Sequence, residues 1–328
     1  METGKLFELR RRTFDTPHFR GIEFIEVEAK TIINHVPGSY LPFNYTINPY
    51  RGCTMWCSYC FARSTHLYMD MDAGKDFETK IVVKVNGPQL LPKELRAKKW
   101  KGDHIAMGTA TDPYQRAEGR YKLMRSIIKT LSDFRNPFSI LTKGTLILRD
   151  LDLLQGAVAV APVSTAFSVA TLDDEVWRRS EPGTPHPRKR LEAVAKLNSA
   201  GIPCGVMVAP VLPGISDDPK KLREVVAAAL DAGATHVSPI LLHLRPGVKE
   251  VYLEWLAETY PDLVPRYKQM YPKAYAPSAD RAALTKTMSR ITAELEVELG
   301  KDRRPPRRRT RRKPPPMPRA EAEQLRLL

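Results

Sequence analysis

Six short runs rich in β-branched and apolar residues recur along this chain, separated by longer helical runs, and that alternation leaves few folds open. The β-rich runs are FNYTIN (43–48), HIAMGTAT (104–111), FSILTK (138–143), STAFSVAT (164–171), CGVMVAPV (204–211) and HVSPILLHL (236–244). Between them lie stretches such as RYKLMRSIIKTLSDF, HPRKRLEAVAKLNSA and PKKLREVVAAALDAG, which read as helices. Strand, helix, strand, repeated with apolar strands, implies parallel strands joined by right-handed crossovers, hence an α/β sheet or barrel. Six units suit an open barrel better than a closed eight-fold one. IVVKVN (81–86) is expected as an additional strand or extended segment in the long first crossover, and a helix from about Ser278 to Leu299 follows Pro277.

With 328 residues, 42% of them apolar and 27% charged, the chain can bury one barrel-sized core. The reading divides it into an extension over 1–35, a barrel domain over 36–277, a helix over 278–300 and a tail over 301–328. The longest uncharged stretch, which follows Asp152, is broken by Gln155, Gly156, Pro162, Ser164 and Thr165, so no membrane span is expected. METGKLFELRRR is polar and basic, unlike an export leader, and the sparse cysteines do not suggest a secreted disulfide framework. A reducing cytoplasm is the expected location.

The formal net charge is +15, and residues 301–328 carry eleven Lys or Arg against three acids, a net +8. DRRPPRRRTRRKPPPMPR combines prolines with clustered arginines, which excludes a helix or a core and predicts a disordered tail. Such a tail can hold a polyanion by counterion release, so nucleic acid is a candidate partner. A merely solubilising extension is the alternative.

Directly after the first β-rich run comes NPYRGCTMWCSYCFAR, which holds three of the four cysteines, Cys53, Cys57 and Cys60, spaced C-x3-C-x2-C. Active sites of α/β barrels lie at the C-terminal ends of their strands, and this stretch occupies such an end. Three thiolates so close can converge on one centre. Zinc would need a fourth ligand, and His66 and Cys204 lack the usual partner spacing. A cubane iron–sulfur cluster held by three cysteines leaves one iron open, and the pattern favours it over zinc.

C-x3-C-x2-C with Tyr59 just before the last cysteine resembles the signature of radical SAM enzymes. The blocks NPYRGC…CSYCFAR, DFETKIVVKVN, GTATDPYQRAEG, FSILTK, EPGTPHPRKRL and APVLPGISD, running from about Val36 to Tyr275, resemble the spore-photoproduct-lyase-like branch of that superfamily. The resemblance implies a partial (β/α)6 barrel. It further implies a 4Fe-4S cluster on Cys53, Cys57 and Cys60, with S-adenosylmethionine chelating the fourth iron. Reductive cleavage of that cofactor would give methionine and a 5′-deoxyadenosyl radical that takes hydrogen from a substrate. An electron donor such as a flavodoxin or ferredoxin is implied as a partner.

By the same resemblance Tyr59, Thr111, Lys143 and Ser168 contact S-adenosylmethionine. Asp112, Tyr114, Glu118, Glu181, Arg190, His243 and Arg245 also fall near strand ends, without assigned roles. The lyase branch supplies a hydrogen-donor cysteine where the resemblance places Thr109 in this chain, whose O–H bond is too strong for that task. Cys204, at the start of the fifth run, reads as buried filler. Three functions follow: a radical SAM enzyme of unassigned substrate, a nucleic-acid repair or modification enzyme of the same chemistry, and a non-catalytic, metal-stabilised nucleic-acid-binding protein.

Overall fold

A computed structural model describes residues 10–36 and 41–300. Among these the strands are β1 (Arg10–Thr13), β2 (Glu23–Val27), β3 (Ile33–His35), β4 (Tyr45–Ile47), β5 (Tyr50–Arg51), β6 (Lys80–Lys84), β7 (Ile105–Met107), β8 (Phe138–Thr142), β9 (Val163–Ser168), β10 (Cys204–Val211) and β11 (Val237–Leu241). The larger sheet runs β11-β10-β9-β8-β7-β4-β3. Each of the six β-rich runs supplies one of its parallel strands, in chain order from β4 through β7 to β11, and β3 adds an antiparallel edge. Ile47 is level with Met107, Met107 with Ile140 and Met207 with Ser168, so the strands end side by side at one rim.

The helices cover the sheet because their apolar residues form stripes. Leu123–Asp133 buries Leu123, Met124, Ile127, Ile128 and Leu131. That spacing keeps them on one face, and each such side chain contributes about 1.5–3 kcal/mol on burial. Pro187–Ser199 and Pro219–Asp231 both start with proline at the first helical turn, where the missing N–H costs nothing. The helix Ser278–Glu298 packs on β11 and on Pro219–Asp231.

The expected extra strand is present as β6, but it belongs to a second sheet of order β1-β2-β6-β5. Most of that sheet comes from the segment read only as an N-terminal extension. The chain leaves the large sheet at Ile47, joins the small one at Tyr50–Arg51, and enters the cysteine loop at once. The loop is therefore anchored where two sheets meet.

The uncharged stretch after Asp152 splits into the helix Leu151–Val160 and β9, the latter overlapping the expected run 164–171. The first half, LDLLQGAVAV, is rich in the helix formers Leu and Ala and packs on the helix Leu123–Asp133, whereas β-branched Val and Thr gather in the second half. Among the described residues no helix is long and apolar enough to cross a membrane. The Arg/Pro-rich tail, 301–328, lies outside the described residues.

Candidate active site

The cysteine loop is shaped by backbone contacts before any side-chain chemistry. Gly52 has φ +78°, and a Cβ there would lie 2.8 Å from the Lys80 carbonyl and 2.9 Å from that of Phe77, so only glycine fits. The next amide, Cys53 N–H, donates to the Phe77 carbonyl (2.9 Å). Farther along, Gly183 lets the backbone of a distant loop close on the cysteine loop, donating to the Met55 carbonyl (3.1 Å). A Cβ at Gly183 would meet the Thr54 carbonyl at 2.5 Å.

Arg63, three residues past Cys60, is buried and directs its guanidinium inward. It donates from Nε (3.2 Å) and Nη2 (2.9 Å) to the Cys57 carbonyl, from Nη1 to the carbonyls of Ala73 and Gly74 (3.0 Å each), and pairs with Glu78. Gln115 does the same from the other side. Its amide oxygen accepts from Thr54 N–H (3.0 Å), and its nitrogen donates to the Gly52 carbonyl (2.9 Å) and the Thr111 hydroxyl (2.8 Å). Neither residue was singled out from the sequence. Arg63 could have been suspected from its place in the cysteine stretch, but Gln115 carried no local signal.

Cys53, Cys57 and Cys60 line one cavity at the strand-end rim, together with Tyr59, Thr111, Lys143 and Ser168. No disulfide joins the thiols. Burial pushes all three up in pKa, Cys57 to about 12, and the Asp112 carboxylate raises Cys53 further. Unloaded, they are neutral thiols, and binding a metal centre displaces their protons. Among the described residues no three His, Cys, Asp or Glu side chains close on a single ion's position. The all-sulfur donor set fits three corners of a cluster better than the closed tetrahedron of structural zinc.

The two candidates for a fourth ligand stand elsewhere. His66 packs edge-on against Phe77, with ring centroids 5.2 Å apart, and its Nε2 lies 3.0 Å from the Lys80 carbonyl. Cys204 begins β10, level with Thr165, whereas the cavity is reached from β10 only at Met207, Ala209 and Pro210.

Around the cavity wall, Lys143 Nζ donates to Ser168 Oγ (2.8 Å), and the Ser168 hydroxyl in turn donates to the Ala209 carbonyl (2.5 Å). Lys143 also lies 3.9 Å from Glu181 Oε1 and 5.6 Å from the centre of the Tyr59 ring. Tyr59 donates to Glu181, and Arg190 binds both Glu181 and Thr184. Burial alone would raise the Glu181 carboxyl, but Arg190 and Lys143 outweigh it and hold it below its ordinary value. Burial and that carboxylate push Tyr59 well up, which keeps it a donor. Local sequence sets this up: His186 caps the helix Pro187–Ser199 and Arg190 points back from its first turn.

Thr111 faces another duty. Its hydroxyl donates to the Gly52 carbonyl (2.7 Å), so its proton braces the loop while the residue still lines the cavity. Asp112 also lines the cavity and joins two strand ends, accepting from Thr142 Oγ1 (2.6 Å), Lys143 N–H (2.7 Å) and Tyr114 N–H (2.8 Å). Tyr114 and Glu118 belong to a separate buried network with Tyr50, Arg149 and Asp150. Thr109 is tied to Asn48 (3.0 Å) and is not among the cavity residues.

At the cavity's outer edge Phe61, His243 and Tyr275 stand in file. The rings of Phe61 and His243 lie 5.7 Å apart and those of His243 and Tyr275 5.5 Å apart, the latter pair stacked. Phe61 is 37% and Tyr275 48% exposed. Arg245 donates to the Tyr275 hydroxyl (3.0 Å) and Arg281 sits 5.9 Å from its ring centre.

A parallel sheet in this order, with three thiols and a lysine at its strand ends, defines an enzyme fold whose chemistry occurs at that rim. Residues 47–226 match the Radical SAM superfamily, and the chain belongs to it and is a radical SAM enzyme. An uncharacterised protein of Mycobacterium tuberculosis is 44% identical over 311 residues, covering 93% of this chain and 91% of its own length. Another, from Methanocaldococcus jannaschii, is 33% identical over 198 residues, covering 60% of this chain and 70% of its own. The fold is that of spore photoproduct lyase. A structure of the lyase complexed with dinucleoside spore photoproduct has a TM-score of 0.65 at 18% identity, covering 86% of this chain and 83% of the lyase. A lyase mutant with bound AdoMet and dinucleoside spore photoproduct gives 0.64 at 17% identity, covering 88% and 85%. Membership of this superfamily sets aside the non-catalytic reading and implies a 4Fe-4S cluster and S-adenosylmethionine as cofactors.

Proposed function

We propose that this enzyme holds a 4Fe-4S cluster on Cys53, Cys57 and Cys60 and uses it with S-adenosylmethionine to remove hydrogen from a substrate. The bound cluster would supply the electron that splits the sulfonium to methionine and a 5′-deoxyadenosyl radical. The observation that carries the reading is the meeting of Lys143 with Ser168 and Tyr59 on the wall of the cavity that holds the three thiols, with Glu181 behind them against Tyr59 and Lys143. Lys143 offers an ammonium to a ligand carboxylate in a partly dry site, and Ser168 fixes where that ammonium stands. Tyr59 is locked by Glu181 and closes the wall beside Cys60. The apolar side chains of Leu141, Met207, Ile240 and Leu242 complete the lining and exclude water from the reacting atoms.

Lys143→Ala should keep the cluster's absorbance and lose cofactor affinity. A carboxylate without its ammonium partner costs on the order of 1.5–3 kcal/mol, about one to two decades in Kd. Calorimetric titration with S-adenosylmethionine after anaerobic reconstitution reads this directly. Unchanged affinity would return Lys143 to a structural role.

The file of rings at the cavity edge favours nucleic acid as the substrate class. Exposed aromatics flanked by arginines are a surface on which bases stack, worth about 1–3 kcal/mol per base. Burial and Arg245 hold His243 below its ordinary pKa, so it presents a neutral ring. The net +8 of residues 301–328 would add phosphate contacts without sequence preference. Tyr275→Ala should therefore weaken binding of a single-stranded oligonucleotide by about one to two decades, with cofactor affinity intact. Full-length protein that shows no salt-dependent oligonucleotide binding would point to a small molecule or a protein instead.

A further inference from the structure

Outside the barrel a groove of about 790 Å³ runs between the helix Arg116–Tyr121 and the loop at Gly183. Its charged lining is one-sided. Arg116, Arg120 and Lys122 line it with His18, all exposed, and no Asp or Glu is among its lining residues. None of the three strong cations forms an ion pair among the described residues. Instead Arg116 lies 5.2 Å from the ring centre of Trp56, in the cysteine loop, and Arg120 lies 3.7 Å from that of Phe14.

Among the described residues Met55 alone lines both this groove and the cavity of the three thiols. It is buried, and it sits between Cys53 and Cys57 in sequence. A molecule in the groove is thus separated from the thiols by one residue of the cysteine loop. It is outside the reach of any radical formed in the cavity, because hydrogen abstraction needs direct contact. An electron, by contrast, crosses a packed side chain.

We propose that this groove docks an acidic one-electron carrier protein, of the flavodoxin or ferredoxin kind, which reduces the cysteine site through Met55. This rests on the reading of that site given above. In the step itself an anionic flavin hydroquinone loses one electron and becomes the neutral semiquinone, and the metal centre gains that electron, with no proton or group transferred. Unpaired cations facing an acidic partner raise the encounter rate and fix its orientation, at a strength that falls with salt. Nucleic acid, the other polyanion such a surface could hold, gains nothing from lying against the cysteine loop, since the chemistry would occur on the cavity side of Met55.

The test uses the reconstituted full-length holoprotein, an acidic flavodoxin as probe, and a single-stranded DNA oligonucleotide for comparison. Arg120→Glu combined with Lys122→Glu is the main variant, and Arg120→Gln with Lys122→Gln is the milder one should charge reversal disturb the fold. Flavodoxin affinity, read by titration at low ionic strength, is expected to fall at least tenfold for the first and severalfold for the second, and to fall with salt in the unsubstituted protein. Cofactor cleavage driven by flavodoxin should slow in parallel, while cleavage driven by dithionite, which needs no docking, stays the same. Flavodoxin affinity unchanged in both variants overturns the proposal, as does loss of oligonucleotide binding alone, which would assign the groove to nucleic acid. Absence of dithionite-driven cleavage in the unsubstituted protein would instead overturn the reading of the cysteine site, and the affinity measurement would still decide the groove.

Discussion

Cys57→Ala should yield a folded protein that gains no brown 4Fe-4S absorbance on anaerobic reconstitution and cleaves no S-adenosylmethionine. Arg63 donates twice to the Cys57 carbonyl, which the substitution keeps, so the loop should hold its shape while one of the three thiols is lost. No neighbouring thiol can take its place: Cys204 lies at the far end of β10, and its burial pushes its thiol to about 12. Cys204→Ala is accordingly expected to keep both cluster and cleavage, with a stability loss of about 1 kcal/mol. Iron content and visible absorbance of the two variants check this side by side. Zinc in the site after anaerobic purification, with iron unable to enter, would sink the radical reading.

Glu181→Ala should be strongly destabilising, because this carboxylate is buried behind the cavity wall against Tyr59 and Arg190. Its side chain is 2% exposed and that of its partner Arg190 is 0% exposed. Removing the carboxylate leaves a buried guanidinium with only Thr184 and the carbonyls of Pro185 and Ser168 around it. Breaking a buried pair from one side costs about 3–5 kcal/mol. That corresponds to a melting temperature lower by roughly 10 °C in a domain of this size. The same change removes the acceptor of Tyr59 and the carboxylate 3.9 Å from the Lys143 ammonium, so affinity for S-adenosylmethionine should fall as well. The double variant Glu181→Ala with Arg190→Met separates the effects. Stability should recover in part, since no buried charge is left unpaired, whereas cofactor affinity should not. A single variant within about 1 kcal/mol of the parent would show that water reaches Arg190 and that the pair is not structural.

Much of the fold was legible because its signals are local. A strand covered on both faces reads as a near-continuous apolar run, and β7 (IAM) and β10 (CGVMVAPV) show this. The small sheet was not legible. β1 is RRRT and fully exposed, and β5 is only two residues long, so neither has the alternation or length that marks a strand. In the site, spacing singles out the cysteines and resemblance singles out Tyr59, Thr111, Lys143 and Ser168; the fold brings all seven to one cavity. Arg63 and Gln115 were not legible, because their partners are backbone carbonyls and amides, which leave no trace in residue type.

By itself, then, the sequence determined the thiol spacing, the six strands and the caps that start the helices, since each depends on residues within a few positions of one another. The tertiary structure alone decided that Lys143 meets Ser168 across 25 residues and Tyr59 meets Glu181 across 122. It also decided that the first strand would hand the cysteine loop to a second sheet, and that three arginine and lysine side chains would gather behind Met55. Those contacts follow from which strand lies beside which, and strand order is fixed by the packing of whole crossovers rather than by any residue's own preference.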